Sequence, residues 1–167
     1  LQLHGIQMEE LKESKEVTLE MYRIQNAKFQ NDTGKSIPFE GRMQVTGTPI
    51  PEIRKQLFPK GSIYISTDQP LGDLAILLLE PKSPDSFLSW GFFNQIFQRT
   101  EYIEAYVMEP TMYKMLSESP ELQKEFEEKK AKDYVFANNA NAIYTWFYSK
   151  TKYYDERYLL YPVGRVN

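Results

Sequence analysis

Residues Gly61 to Pro81 read GSIYISTDQPLGDLAILLLEP, and within this stretch the spacing of apolar side chains changes. Up to Thr67 it has period two, with Ile63 and Ile65 on one side, as in a half-buried strand. From Asp68 onward Leu71, Leu74, Ala75, Leu78 and Leu79 follow the i, i+3, i+4, i+7, i+8 template of a helix with a core-facing stripe. Strands before this point and helices after it predict an α+β fold: an N-terminal antiparallel β-sheet or sandwich, followed by a predominantly helical C-terminal half packed on it. The reading treats 1–167 as one domain, with a β-rich part over 1–67, a helical part over 68–152 and an extended segment over 153–167.

Upstream, Val17, Leu19 and Met21 alternate with Glu16, Thr18 and Glu20, and then the apolar set changes phase to Tyr22 and Ile24. That predicts a bulge, or a strand buried on both faces, near Arg23. GRMQVTG repeats the alternation with Met43 and Val45, while NDTGKSIP and FPKG supply the turns between strands. Short connections pair such strands antiparallel.

Downstream, Asp68 is placed to cap the first helix, with Pro70 in its first turn. Ile76 and Leu77 add apolar surface on its other side, so that it is expected to be buried nearly all round. Pro81 ends it. Ser83, Pro84 and Asp85 form the start signal of a second helix, on which Trp90, Phe93 and Phe97 share a stripe. Further helices are expected over 101–107, 110–117, 120–132 and 141–150. Ser119 caps the third of these, which turns Leu122 and Phe126 inward and exposes charge elsewhere. ERYLLYPVGRV reads as extended and returns to the sheet.

The composition, 41% hydrophobic and 26% charged, is globular. A net charge of -3, with no dense basic block outside the mixed run Lys124 to Lys132, leaves no electrostatic footprint for a phosphate backbone, which sets nucleic acid aside as a partner. The longest aliphatic run, 74–79, is far short of the roughly 20 residues that span a bilayer, so no membrane span is expected. The absence of cysteine excludes disulfides, thiolate metal sites and cysteine nucleophiles. The sequence begins at LQLHGI, without an initiator Met or a signal pattern, and is read as a piece of something longer.

Chemical motifs are few. TGKS at Thr33 lacks the earlier glycine and the following helix of a phosphate-binding loop, and reads as a hairpin turn. His4 is the only histidine, so any triad or zinc site would have to be built around it, and it reads as structural. Asp68 and Asp85 are explained by capping, and nothing in the spacing pairs two carboxylates for glycoside chemistry. NDT at Asn31 is formally a glycosylation sequon. Trp90, Phe92 and Phe93 read as packing residues. The aromatics concentrated in the second half, among them Tyr144, Trp146, Tyr148, Tyr153 and Tyr154, are the candidate ligand or interdomain contacts, with core packing as the commoner explanation. No catalytic, cofactor-binding or metal-binding residue is assigned.

Ordered blocks carry a resemblance: HGI at His4, the strand at Gly61, DQPL from Asp68, LLEP from Leu78, DSFLSWGFFN from Asp85, EYIEAYVMEP from Glu101 and the closing YYDERYLLYPVGRV. Together they resemble the carboxy-terminal region of bacterial zinc carboxypeptidase-like proteins of the carboxypeptidase A type metallopeptidase family, weakest between Gln7 and Phe58. In that family zinc is held by a His-x-x-Glu pair and a later His, a Glu activates the bound water and an Arg receives the substrate carboxylate. Here Gln7 stands where His4 would need its Glu, so no catalytic role carries over. The resemblance implies a noncatalytic accessory domain that packs against its own upstream peptidase domain, with zinc and peptide hydrolysis upstream of Leu1, and export to the periplasm or outside the cell. It also implies that the fragment exposes an apolar patch or self-associates through it. The competing expectation is a carbohydrate- or peptide-binding module using exposed Tyr and Trp.

Overall fold

The computed structural model describes residues 1–99 and 104–166. The fold is α+β, with antiparallel sheets followed by helices, as the change of period at Asp68 predicts. The chain divides into two compact units, Leu1–Gln98 together with Arg157–Asn167, and Arg99–Glu156.

The first unit is organised around a three-stranded antiparallel sheet in the order β3-β2-β5, formed by β2 (Lys15–Lys28), β3 (Thr46–Phe58) and β5 (Leu160–Arg165). A two-stranded ribbon pairs β1 (Glu9–Glu10) with β4 (Ile63–Tyr64). The phase change along β2 is explained by burial on both faces. Leu19 and Met21 pack with Leu160, flanked by Val17 and Phe58. On the opposite face Tyr22 and Ile24 pack with Leu88 and Tyr161. Near Arg23 the pairing irregularity lies in β5, because Met21 faces Gly164 while Arg23 faces Leu160, so four steps of β5 run against two of β2; the bulge in β2 itself comes later, between Gln25 and Lys28, against β3. Pro162 sits in the irregular stretch of β5, where a residue without an N–H disturbs the ladder least. Pro49 and Pro51 lie on β3, an outer strand of this sheet, and blunt its edge.

Several local expectations are corrected. Met43 and Val45 are not in a strand, since β3 begins at Thr46, although Val45 is buried and its N–H donates to the Ser89 carbonyl at 3.0 Å. The helix α1 (Gly72–Leu79) starts later than Asp68, with Leu71 at its N-cap and no side-chain cap bond. A Cβ on Gly72 would run into the Thr67 carbonyl, so the chain before the helix approaches closely at this point. Nor is α1 buried all round: Gly72 and Ala75 are buried, whereas Ile76 and Leu77 are each 43% exposed.

The Ser83–Pro84–Asp85 signal does not open a helix. Residues 83–93 form successive turns, ending in a short 3₁₀ helix, Asn94–Phe97. The serines compete with helical bonding, because the Ser89 hydroxyl donates to the Pro84 and Ser86 carbonyls while its N–H donates to Ser86 Oγ. Gly91, at φ 72°, then turns the chain in a direction closed to a helix.

In the second unit α2 (Ala105–Glu118), α3 (Pro120–Lys132), α4 (Tyr134–Ala137) and α5 (Ala140–Tyr148) enclose a core of Met108, Met112, Phe126, Phe136, Phe147 and Tyr148. The segments expected as two helices over 101–107 and 110–117 are one helix with Pro110 inside it, and residues 101–103 of that expectation lie outside the described residues. Ser119 caps α3 by accepting from the Leu122 N–H at 3.2 Å. Asp133 does the same for α4 and Asn139 for α5, at 2.9 and 3.0 Å.

Candidate functional site

The tyrosines and tryptophan singled out in the second unit are mostly packing groups. The Trp146 ring stacks on Phe126 at 5.6 Å and meets Phe136 and Phe147 edge-on, with the Lys150 ammonium 4.6 Å from its centroid. Tyr148 is buried, its hydroxyl donates to the Tyr153 carbonyl at 3.0 Å, and its ring contacts Tyr154 at 5.6 Å. Tyr144 and Tyr154 are half-buried against the same core, and Tyr153 alone of the five is well exposed, at 65%. These side chains therefore form one packed cluster with one exposed ring.

The most exposed rings of the second unit, Tyr106, Tyr113, Tyr134 and Tyr153, make no ring–ring contact among the described residues, whereas in the first unit two partly exposed rings, Phe39 and Phe92, lie in or beside the turn-rich stretch 85–94 and contact other rings. The residues Phe39–Glu40–Gly41–Arg42 close a two-residue turn in which Phe39 and Arg42 exchange both backbone hydrogen bonds at 2.9 Å. Glu40 and Gly41 have φ of 48° and 74°, the positive values at both central positions that mark a type I′ turn. This turn lies against 89–94 through three contacts. The Val45 N–H bonds the Ser89 carbonyl, the Asn94 amide donates to the Met43 carbonyl at 3.1 Å, and Gly91 leaves room for that same carbonyl where any Cβ would collide with it.

The result is two ring contacts between the turns. Phe39 meets Trp90 at 6.0 Å with the rings tilted 41°, and the Arg42 guanidinium lies 3.8 Å from the centre of the Phe92 ring, which also contacts Phe87 at 4.8 Å. Phe39 and Phe92 are 52% and 43% exposed, and the Trp90 indole donates to Asp85 at 3.3 Å. No ion pair or side-chain hydrogen bond engages Arg42 among the described residues. Phe93, next in sequence, points the other way and packs edge-on against Tyr161 at 5.1 Å. The expectation that Trp90, Phe92 and Phe93 all pack in a core thus holds for Phe93, while Trp90 and Phe92 form part of a shelf. Phe39 and Arg42 carried no sequence signal, since they sit in a polar, turn-like stretch far from Trp90 along the chain.

A second polar constellation joins β2, β5 and the end of α1. Arg165 pairs with Glu80 at 2.6 Å and lies opposite Glu20 in the sheet. The Tyr22 hydroxyl donates to Glu20 at 3.1 Å, and the Lys82 ammonium is 4.9 Å from its ring. Burial, the Glu20 hydrogen bond and the charges of Glu80 and Glu20 push the Tyr22 phenol up to about 12. Burial, then Glu80, pushes Tyr161 up as well, and its hydroxyl donates to the Leu79 carbonyl. On the other face of the sheet Glu52 receives Arg23 at 3.0 and 3.1 Å and Arg54 at 2.9 Å. Burial raises the Glu52 carboxyl, and these bonds and charges outweigh that effect and hold it below its ordinary value. Both constellations are explained by tying strands together.

Among the described residues no group of three His, Cys, Asp or Glu is placed to hold a metal ion, and no helix is long and apolar enough to cross a membrane. Comparison with known proteins finds no matching protein family, no matching curated protein and no matching solved structure.

Proposed function

We propose that this chain is a noncatalytic accessory domain that packs against an upstream zinc carboxypeptidase-like catalytic domain, the whole protein being an exported peptidase whose zinc and hydrolytic residues lie in that upstream part. The motif order described above motivates the assignment. The observation in the structure that supports it is the outer face of α1, where Ile76 and Leu77 expose aliphatic surface on a short helix, with Leu71 partly exposed at its N-cap. Adjacent exposed aliphatic side chains are the kind of surface that contact with another domain would cover. Asp73, one turn earlier on the same side of the helix, puts a charge at the border of the aliphatic pair. The test is the coding sequence upstream: a reading frame with His-x-x-Glu and a later His within the preceding few hundred residues is expected, and a frame without them sinks the proposal. With that upstream part present, Ile76→Asp should weaken the association of separately expressed halves in a pull-down.

A second reading, a module that binds carbohydrate or peptide, is favoured by the shelf of Phe39, Trp90, Arg42 and Phe92 rather than by the tyrosines of the second unit.

A further inference from the structure

We infer that the shelf formed by Phe39, Trp90, Phe92 and Arg42 is a binding site for acidic carbohydrate, a pyranose bearing a carboxylate. The inference rests on the ligand-binding reading above and specifies its chemistry. Phe39, 52% exposed, offers apolar surface to the C–H face of a sugar, while Phe92 is taken up in holding Arg42 and Phe87; aromatic side chains used in this way bring little conformational entropy to lose.

Charge selects among sugars. The Arg42 guanidinium is stacked on Phe92 at 3.8 Å and has no carboxylate partner among the described residues. Stacking on the ring leaves the forked donors at its edge available for a carboxylate, for which their planar geometry is suited. A neutral sugar would use the Phe39 ring and leave this cation unmatched, whereas a uronic acid engages both.

Geometry separates this from peptide capture. The turn that carries Phe39 and Arg42 spends its own backbone groups on itself, Phe39 N–H to Arg42 carbonyl and the reverse. It therefore presents no open ladder to an extended chain, which is the usual source of affinity for peptides. The shelf is also held in place before a ligand arrives, by the Asn94 bond to Met43 and the close approach at Gly91.

The experiment is an NMR titration of the ¹⁵N-labelled chain with a galacturonic acid oligomer, with the methyl ester of the same oligomer, and with the peptide Gly-Gly-Gly-Phe. The chain has two tryptophans, so the Trp90 and Trp146 indole signals report the shelf and the second unit separately. The acid oligomer is expected to shift the Trp90 signal and leave Trp146 in place. Esterification, or Arg42→Gln, is expected to weaken binding by about tenfold or more, the scale of one charged hydrogen bond. The comparison of acid and ester uses the unaltered chain, so the result stands even if Arg42→Gln fails to fold. Equal binding of acid and ester overturns the acidic specificity and leaves a neutral-sugar site. A response to the peptide alone overturns the carbohydrate assignment and leaves a peptide site. No response at Trp90 to any of the three removes the inference and the ligand-binding reading together.

Discussion

Gly91 shows how much one residue contributes to the shelf. At φ 72°, with the Met43 carbonyl where a Cβ would stand, it is needed both for its backbone conformation and for its lack of side chain. Gly91→Ala should destabilise the first unit by about 1–3 kcal/mol, the range for forcing extra volume into a packed contact, and should separate Phe39 from Trp90. Urea unfolding and the Trp90 indole shift measure the two effects, and an unchanged midpoint would refute the argument. Tyr22 gives a second residue-scale test. Its phenol is raised from an ordinary 10.0 to about 12, so folded and unfolded chains are both protonated below pH 10. Between these values the unfolded chain releases its proton first, and stability falls as pH rises through the window. Unfolding midpoints measured across that interval should decline, and Tyr22→Phe should reduce the slope without abolishing it, because Tyr161 is raised in the same direction.

Among the elements, α2 carries an avoidable defect. Pro110 lies inside Ala105–Glu118, where it cannot donate to the carbonyl one turn earlier and its ring crowds the preceding turn. Pro110→Ala should therefore stabilise the second unit by up to the ~3 kcal/mol that an interior proline costs, and calorimetry should show a higher thermal midpoint; an unchanged midpoint would count against it. The same scale shows what the sequence makes legible. The two faces of β2 could be read because Val17 to Ile24 expose their alternation directly. Ser119 could be read because its cap bond spans only three residues. Ser83–Pro84–Asp85 misled because its competitors are the hydroxyls of Ser86 and Ser89 and a contact with residue 43, the last of which no local window contains. Core packing of the second-unit aromatics was legible as the commoner explanation, because their helical spacing is local, whereas the exposure of Tyr153 was not. The shelf was hidden because each half of it lies in a different turn.

For the whole molecule, the notable point is how the second unit is placed in the chain. It is inserted between the 3₁₀ helix Asn94–Phe97 and β5, and within the first unit the Leu159 N–H donates to the Ile96 carbonyl at 2.9 Å. The chain therefore leaves the first unit and rejoins it at neighbouring points, which is the arrangement in which insertions are tolerated. Replacing 99–156 by a short Gly/Ser linker should leave a folded first unit with its sheet and shelf intact. Dispersed NMR signals and one cooperative unfolding transition are the expected result, and a collapsed spectrum would show that the first unit depends on the second.

The sheet order has a consequence for synthesis on the ribosome. β5 supplies one side of β2, yet Arg165 pairs with Glu20 across almost the whole chain. The β2–β3 hairpin emerges early with one edge of β2 unpaired, and it must wait while the entire helical unit is made. The later-translated helices, built from local contacts, can reach their native state first, so the order of folding reverses the order of translation.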